Sequence, residues 1–261
     1  MTEPPIIYAQ DGAVARLILN RPEKRNAFDD ALVAALDDAL AVVETDPSVR
    51  VLVLEGAGEH FSAGADLNWM RRMAGQDEAA NLADAQAFAH MLARFDRLPL
   101  PTIALARGSV FGGGVGLVCL CDIAICDTGA RFCLSEVRLG LVPSVIGPYV
   151  LRAVGERWAR RLMLTAEVVP ADMARAIGFV HEVAADPGAR VAELAGLLVE
   201  GAPRAQAEAK ALVRACAAAP IDEALIAHTA ALIARLRAGD EAREGIDAFL
   251  DKRKPSWRPG R

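Results

Sequence analysis

Two short runs of mostly apolar residues set the strongest limit on how this chain can fold. The runs are Val49–Leu54 and Thr102–Ala106, and both have the length of a strand. Runs of this kind are typical of parallel strands that are covered on both faces. Each run is followed by a glycine-containing segment and then by a helical pattern, which indicates repeated β-α-β units. The sequence therefore predicts an α/β fold.

The residues before and between these runs extend the same pattern. Residues 8–19 predict two strands that meet at the turn pair Asp11-Gly12. Asp29 or Asp30 is expected to cap a helix, because apolar residues follow it at a spacing of 3.6 residues. A second, longer helix is predicted over residues 76–97.

The second half of the chain changes character. Residues 122–126 and 130–133 predict short strands, whereas the sequence after Pro143 is mostly helical and rich in alanine. We therefore expect a sheet-bearing body and, from about residue 150 onward, an all-helical part that packs on the body or on a neighbouring subunit.

Composition and charge limit the classes of function. The 261 residues carry a net charge of -5, and basic residues cluster only in the last ten positions, so no nucleic-acid partner is expected. The longest uncharged stretch, residues 108–121, is shorter than the ~18 residues of a membrane span. The N-terminal residues do not resemble a secretion signal. The five cysteines include a C-x-C pair and suit reduced thiols better than a metal site. We expect a cytoplasmic protein with no membrane partner and no metal.

Two glycine-containing loops follow the strand-like runs, at the position where ligands bind in α/β sheets. They are Phe61–Leu67 (FSAGADL) and Gly108–Gly116 (GSVFGGGVG). The second loop is not a Walker A loop because Gly114 stands where lysine is required, and Leu117 stands where a dinucleotide fingerprint requires glycine. Two backbone N–H donors from separate loops suit a small developing oxyanion, such as a thioester enolate. The alternative is that the glycines only allow a helix to pack closely on a strand.

Glu136 is the candidate acid–base residue. It lies in the segment FCLSEVRLG, after a short apolar run and before a turn. A carboxyl group in an apolar surrounding has the raised pKa that proton transfer near neutral pH requires. The alternative is a surface glutamate that pairs with Arg138.

Together these segments resemble the crotonase (enoyl-CoA hydratase/isomerase) superfamily over nearly the whole chain. The matching segments are, in order, residues 19–27, 61–67, 112–114, 121–122, 135–136, 140–143, 164–166, 176–178 and 249–254. The resemblance implies a crotonase-like spiral of β-β-α units with a C-terminal helical trimerisation region. It implies an α/β core over residues 1–200, an oligomerisation region over residues 201–261, and a homotrimer or hexamer.

The resemblance also implies roles for individual residues. Ala65 and Gly113 match the two oxyanion-hole residues, and Glu136 matches the second catalytic glutamate of the family. The position of the first catalytic glutamate holds Gly116. Residues that match the segments lining the CoA site are Lys24, Arg25, Ala63, Gly64, Asp66, Leu67 and Asn68.

The function implied by the resemblance is hydration of the 2,3 double bond of an enoyl-CoA thioester, with no cofactor beyond the CoA of the substrate. Residues 64–70, 112–117 and 132–141 look most like bacterial methylglutaconyl-CoA hydratases, and the branch acting on isohexenylglutaconyl-CoA is similar. A Δ3,Δ2-enoyl-CoA isomerase is the first alternative, because a 1,3 proton shift needs only one acid–base residue. A non-catalytic acyl-CoA-binding or RNA-binding relative is the second.

One further expectation concerns a terminal carboxylate on the acyl chain, whose burial requires a cation or several hydrogen-bond donors. The sequence offers Arg71, Arg72, Arg138 and Arg152 for this contact.

Overall fold

The computed structural model describes residues 3–217 and 219–258. Its strands form a six-stranded sheet in the order β1-β2-β3-β4-β6-β9 and a small sheet in the order β5-β7-β8. In chain order the described strands are β1 (Ile6–Asp11), β2 (Val14–Leu19), β3 (Val51–Gly56), β4 (Thr102–Ala106), β5 (Ser109–Phe111), β6 (Ile123–Asp127), β7 (Arg131–Cys133), β8 (Val169–Pro170) and β9 (Glu182–Ala184). Strands β1 and β2 are antiparallel, and the other pairs of the large sheet are parallel.

Helices cover both faces of the large sheet and form the C-terminal part. The described α-helices are α1 (Asp30–Thr45), α2 (Leu67–Ala74), α3 (Glu78–Arg97), α4 (Gly113–Leu120), α5 (Gly147–Thr165), α6 (Ala171–Ile177), α7 (Pro187–Val199), α8 (Pro203–Cys216), α9 (Glu223–Arg237) and α10 (Asp240–Leu250). Short 3-10 helices lie at Pro22–Lys24 and Glu136–Leu139. None of the helices in the described ranges has the length and apolar character required to cross a bilayer.

The elements predicted most directly from the sequence are confirmed. Strand β4 covers the predicted residues and is buried throughout, and the first four residues of β3 are buried. Strands β1 and β2 form the predicted hairpin. Asp29 caps α1, because its carboxylate accepts a hydrogen bond from the N–H of Leu32 (2.9 Å). The predicted α/β fold class is therefore confirmed.

The expectation of an all-helical part after about residue 150 is wrong. Strand β9 joins the large sheet beside β6, and β8 pairs with β7 in the small sheet. Both strands are only two or three residues long, and β9 is half-buried along its length. A strand this short has too few residues for alternating hydrophobicity to show, so its pairing depends on the free edge that β6 presents.

The core lies on both faces of the large sheet, but not in the C-terminal helices. One face packs against α1, α3, α4 and α5 in the larger cluster of buried side chains. The other face packs against α7, where Val191, Ala195 and Val199 contact the buried strand residues. In α8 to α10 the buried hydrophobic residues are only Leu232 and Ala248, within the described part of these helices. The candidate site therefore lies on the well-packed part of the chain.

Candidate active site

The turn at Gly112 connects strand β5 to helix α4. Gly112 has φ 49° and ψ -118°, a backbone conformation that favours glycine. Its N–H donates a hydrogen bond to the carbonyl of Cys133 (2.9 Å), which fixes the turn against β7. A Cβ atom placed on Gly112 would lie 3.1 Å from Oε1 of Glu136. Glycine is therefore required both for the turn and for the close approach of the glutamate.

Two backbone N–H groups are left free by the hydrogen bonds around this turn. The N–H of Phe28 donates to the carbonyl of Gly64 (2.7 Å), and the N–H of Asp66 donates to the carbonyl of Phe28 (2.8 Å). The N–H of Ala65, which lies between Gly64 and Asp66, takes part in neither bond. Gly113 is the first residue of α4, so its N–H has no partner inside the helix. Neither N–H has an acceptor within the described ranges.

The two loops and the carboxyl group converge at Gly112. The same Cβ position that lies 3.1 Å from Glu136 lies 3.7 Å from the Cα of Gly64, the residue before Ala65. The structure thus brings together Ala65, Gly113 and Glu136, which are the residues that the sequence proposes for an oxyanion hole and a proton-transfer group. Backbone N–H groups beside a carboxyl group can stabilise a developing oxyanion while the carboxyl group moves a proton.

Glu136 begins the 3-10 helix that follows β7. Its side chain is half-buried, and Oε2 is buried with no hydrogen-bond partner among the described residues. Loss of hydration on burial raises the pKa of this carboxyl group, and a hydrogen bond from its own N–H offsets part of the rise. The group can therefore hold a proton at a higher pH than an ordinary glutamate.

The alternative that Glu136 pairs with Arg138 is wrong. Nη2 of Arg138 donates instead to the carbonyl of Ala166 (2.6 Å), and the thiol of Cys133 donates to the same carbonyl (3.2 Å). Ala166 caps α5 with φ 50°, a left-handed conformation. The residues on either side of Glu136 are thus attached to the end of α5, and no salt bridge to Glu136 is present in the part of the chain that the structure describes.

Asp66, the residue after Ala65, is a structural carboxylate. It is 6% exposed and caps α2, accepting hydrogen bonds from the N–H groups of Asn68 (2.8 Å) and Trp69 (3.3 Å). Its carboxylate also pairs with Nζ of Lys24 (2.9 Å) and Nη2 of Arg21 (3.1 Å). The bond from Lys24 and the backbone donors lower the pKa of Asp66 to about 2.

The remaining residues proposed for CoA binding lie on two segments that are joined next to Ala65. The N–H of Ala63 donates to the carbonyl of Arg25 (2.8 Å), which joins the segment around Lys24 to the glycine loop. Leu67 is 74% exposed at the start of α2, and Asn68 is also exposed. The guanidinium of Arg25 has no carboxylate partner among the described residues, so it is available to an anion.

Asn26 and Ser62 hold these two segments together, and neither was assigned a role from the sequence. Asn26 is fully buried with φ 54°, and its amide donates to the carbonyls of Ala57 (2.9 Å) and His60 (2.7 Å). Ser62 is also buried and donates its hydroxyl proton to the carbonyl of Asn26 (2.8 Å). The signal that the sequence offered was the residue type, because asparagine tolerates a left-handed backbone conformation better than most residues.

In the described ranges, no three histidine, cysteine, aspartate or glutamate side chains form a group that could hold a metal ion. The five cysteines are free thiols, of which Cys121, Cys126 and Cys133 are buried. Burial raises the pKa of these three thiols.

Free N–H groups on two loops, beside a carboxyl group of raised pKa, are typical of enzymes that stabilise an oxyanion and transfer a proton. Residues 9–260 match the model of the enoyl-CoA hydratase/isomerase family. The chain belongs to this family.

Relatives and solved structures cover nearly the same length. The 2,3-dehydroadipyl-CoA hydratase of Escherichia coli (strain K12) is 35% identical over 256 residues, which are 97% of this chain and 98% of the relative. The short-chain-enoyl-CoA hydratase of Clostridium acetobutylicum is 32% identical over 258 residues, 95% of each chain. The crystal structure of an enoyl-CoA hydratase from Shewanella pealeana has a TM-score of 0.95 at 42% identity and covers 97% of this chain and 96% of that one. The chain thus has the crotonase fold and is an enzyme of the enoyl-CoA hydratase/isomerase family.

Proposed function

We propose that this protein adds water across the 2,3 double bond of an enoyl-CoA thioester, with Glu136 as the acid–base residue. The observation that carries the proposal is the carboxyl group of Glu136, whose Oε2 is buried without a partner among the described residues and whose Oε1 lies against Gly112, the residue before Gly113. The oxyanion of the thioester enolate is bound by the N–H groups of Ala65 and Gly113.

The reaction proceeds by two proton transfers on one carboxyl group. Ionised Glu136 accepts a proton from water as the oxygen bonds to Cβ, and the electrons of the double bond move to the thioester oxygen. The two N–H groups stabilise the negative charge on that oxygen. Glu136 then returns a proton to Cα, which restores the thioester and the ionised carboxylate. One carboxyl group is sufficient if water and the proton arrive on the same face of the substrate.

The absence of a side chain at Gly116 supports this one-carboxylate scheme. It also makes the Δ3,Δ2-enoyl-CoA isomerase the second candidate, because that reaction moves a proton from C2 to C4 with one base. Incubation of wild-type protein with crotonyl-CoA, 3-methylglutaconyl-CoA and a 3-enoyl-CoA separates the possibilities. Hydration of a 2-enoyl-CoA supports the proposal, whereas isomerisation without hydration replaces it. Binding without any turnover would identify a non-catalytic relative.

For the substrate, we propose an acyl chain of the 3-methylglutaconyl type, which ends in a carboxylate. The motif resemblance supports it, and the Escherichia coli relative is named for 2,3-dehydroadipyl-CoA, which also ends in a carboxylate. Of the four candidate arginines, Arg72 pairs with Asp30 (2.7 Å), Arg152 with Asp96, and Arg138 donates to the carbonyl of Ala166.

Arg71 is the remaining candidate, and its guanidinium has no carboxylate partner in the described ranges. It lies on α2, which begins just after Ala65. Because a hydrogen bond to a charged group is worth about 1.5–3 kcal/mol, Arg71→Ala should raise KM for 3-methylglutaconyl-CoA at least tenfold and leave KM for crotonyl-CoA unchanged. Arg72→Ala, the adjacent and already paired arginine, is the control. A preference of the wild-type enzyme for crotonyl-CoA in kcat/KM would reject the proposed substrate.

We also propose that residues 201–261 assemble the protein into a trimer or hexamer. Large apolar side chains are exposed there, including Ile221 (87%) and Phe249 (82%). A groove of about 370 Å³ lies between α8, α9 and α10, with Ile246, Phe249 and Trp257 in its lining. Burial of these groups between copies removes apolar surface from water. A monomer in light scattering at micromolar concentration would contradict the assembly.

The reaction as proposed uses no cofactor apart from the CoA moiety of the substrate. The free, buried thiols are in keeping with a cytoplasmic location, which we also propose.

A further inference from the structure

The space in front of Gly116 is occupied by Ile146. Gly116 is buried on α4, one turn after Gly113, and Ile146 is the buried residue immediately before α5. A Cβ atom placed on Gly116 would lie 2.7 Å from the Cβ of Ile146 and closer still to its Cγ2. Real Cβ atoms essentially never approach other atoms below 3.0 Å. Any side chain at position 116 therefore requires Ile146 to move.

Ile146 has little freedom to move. The conflicting atoms are close to its backbone, and a β-branched side chain has few allowed rotamers. The side chain is 3% exposed and belongs to the main cluster of buried residues. The conflict is therefore with a fixed part of the core rather than with the far end of a flexible side chain.

Ile146 and Glu136 flank the same turn of α4. Glu136 approaches Gly112, and the N–H of Gly116 donates to the carbonyl of Gly112 (3.4 Å). The N–H of Leu141 donates to the carbonyl of Glu136 (3.1 Å), which fixes the start of the segment that leads to Ile146. The segment 136–146 thus supplies the carboxyl group of Glu136 at one end and the side chain of Ile146 at the other, and both reach the first turn of α4.

We propose that Ile146 restricts this site to a single carboxylate: it fills the space that a side chain at position 116 would need and leaves Glu136 as the acid–base residue. The proposal rests on the proposed hydration for its catalytic meaning, whereas its steric part is independent of activity. Ile146 is a positioning residue in this scheme, because it fills the space at position 116 and does not act on the substrate. Gly116 and Ile146 should then behave as a pair whose substitutions are strongly coupled.

The steric part is tested by the thermal stability of Gly116→Ala in two backgrounds. Alanine is more favourable than glycine in a helix interior, so this substitution stabilises a helix where space permits. We expect Gly116→Ala to lower Tm when Ile146 is present and to raise Tm when it is combined with Ile146→Gly. Ile146→Ala is the matched control: it keeps the Cβ atom at 2.7 Å and should not reverse the effect. A rise of Tm with Gly116→Ala alone would overturn the proposal.

The catalytic part is tested by placing a carboxylate at position 116. Gly116→Glu combined with Ile146→Gly should fold, whereas Gly116→Glu alone should be strongly destabilised. In the double variant, like charges in one site should raise the pH at which Glu136 titrates, as followed by carboxyl NMR. Gly116→Gln combined with Ile146→Gly is the uncharged control and should show no such shift.

The outcomes separate this inference from the proposed function. Equal titration of Glu136 in the two double variants would mean that position 116 does not face the site, and Ile146 would then be only a core residue. If the wild-type protein hydrates no enoyl-CoA but the Tm effect reverses and the titration shifts, the hydratase proposal fails and the one-carboxylate inference remains. The pH profile of crotonyl-CoA hydration should show a second ionisation only in the double variant that carries glutamate.

Discussion

Asp66 follows Ala65 and Glu136 lies at Gly112, and the surroundings of these two carboxylates are opposite. Asp66 accepts hydrogen bonds from two N–H groups and pairs with Arg21 and Lys24. Glu136 has a buried oxygen with no partner in the described part of the chain. The pKa of Asp66 is lowered to about 2, and the pKa of Glu136 is raised by burial.

The comparison separates a carboxylate that stabilises the fold from one that is available for a reaction. The charge of Asp66 is fully compensated, so a proton transfer there would break several contacts at once. The charge of Glu136 is compensated only by the N–H of its own backbone, so its proton affinity is higher than that of Asp66. The position of a carboxylate after a strand and loop does not distinguish the two, whereas the number of donors around it does.

The largest expected effect is the loss of catalytic activity in the Glu136→Gln variant. The amide keeps the shape of the side chain but cannot accept the proton, so kcat should fall by about 10²–10⁴ with little change in KM. Hydration of the preferred enoyl-CoA is the measurement. Asp66→Asn serves as the comparison and should keep kcat within a few-fold. If Glu136→Gln retained more than roughly a tenth of wild-type turnover, Glu136 would not be the acid–base group.

The next effect concerns the N–H of Gly113. Loss of one oxyanion donor costs about 10²–10³ in kcat. A Cβ atom on Gly113 would lie 3.2 Å from Phe88 and 3.3 Å from Phe28, so Gly113→Val should displace the start of α4. The control is Gly196→Val on α7, where a Cβ atom would have no neighbour within 4 Å. Normal turnover by a folded Gly113→Val variant would contradict the role of this N–H.

The sequence predicts those features of the molecule that depend on neighbouring residues, but not the difference between these two carboxylates. The buried strands, the Asp29 cap and the fold class follow from local patterns, because periodicity and capping depend on nearby residues. The short strand β9 was missed, since its formation depends on the edge of β6. The contrast between Asp66 and Glu136 depends on donors that come from distant segments of the chain.

The contact between Gly116 and Ile146 is also non-local. The sequence shows that position 116 carries no carboxylate, but not that another side chain fills the space. The role of Asn26 has the same origin, because three of its hydrogen-bond partners, Ala57, His60 and Ser62, lie on the loop after β3, far from Asn26 in the chain. Packing of this kind has no signature in one sequence.

A smaller effect is expected on stability when the contacts of Asp66 are removed. Loss of an N-cap side chain costs about 0.5–2 kcal/mol, so Asp66→Ala should lower the free energy of unfolding by at least this amount. Asp66→Asn keeps an oxygen that can accept from Asn68 but loses the charge that pairs with Lys24 and Arg21, so its effect should be smaller. Urea denaturation at pH 7 measures both. Unchanged stability of Asp66→Ala would contradict the claim that the contacts of Asp66 stabilise the fold.

The smallest effect, and the one that compares the two carboxylates directly, is the pH dependence of stability. A lowered pKa in the folded state contributes stability above the ordinary pKa of the group, and this is lost as the pH falls toward the lowered value. The advantage of wild type over Asp66→Asn should therefore shrink as the pH falls from about 4 toward 2.

The raised pKa of Glu136 has the opposite effect on stability. Its stabilising contribution is present below the ordinary pKa of the group and is lost as the pH rises through the raised value. The stability of Glu136→Gln relative to wild type should therefore increase as the pH rises above about 4.5. Denaturation curves of the three proteins between about pH 2.5 and 8 would test both slopes. The free energy of unfolding of wild type minus that of the variant should rise with pH for Asp66→Asn and fall with pH for Glu136→Gln. Slopes of the same sign in these two differences would mean that the two carboxylates do not differ in the way their contacts indicate.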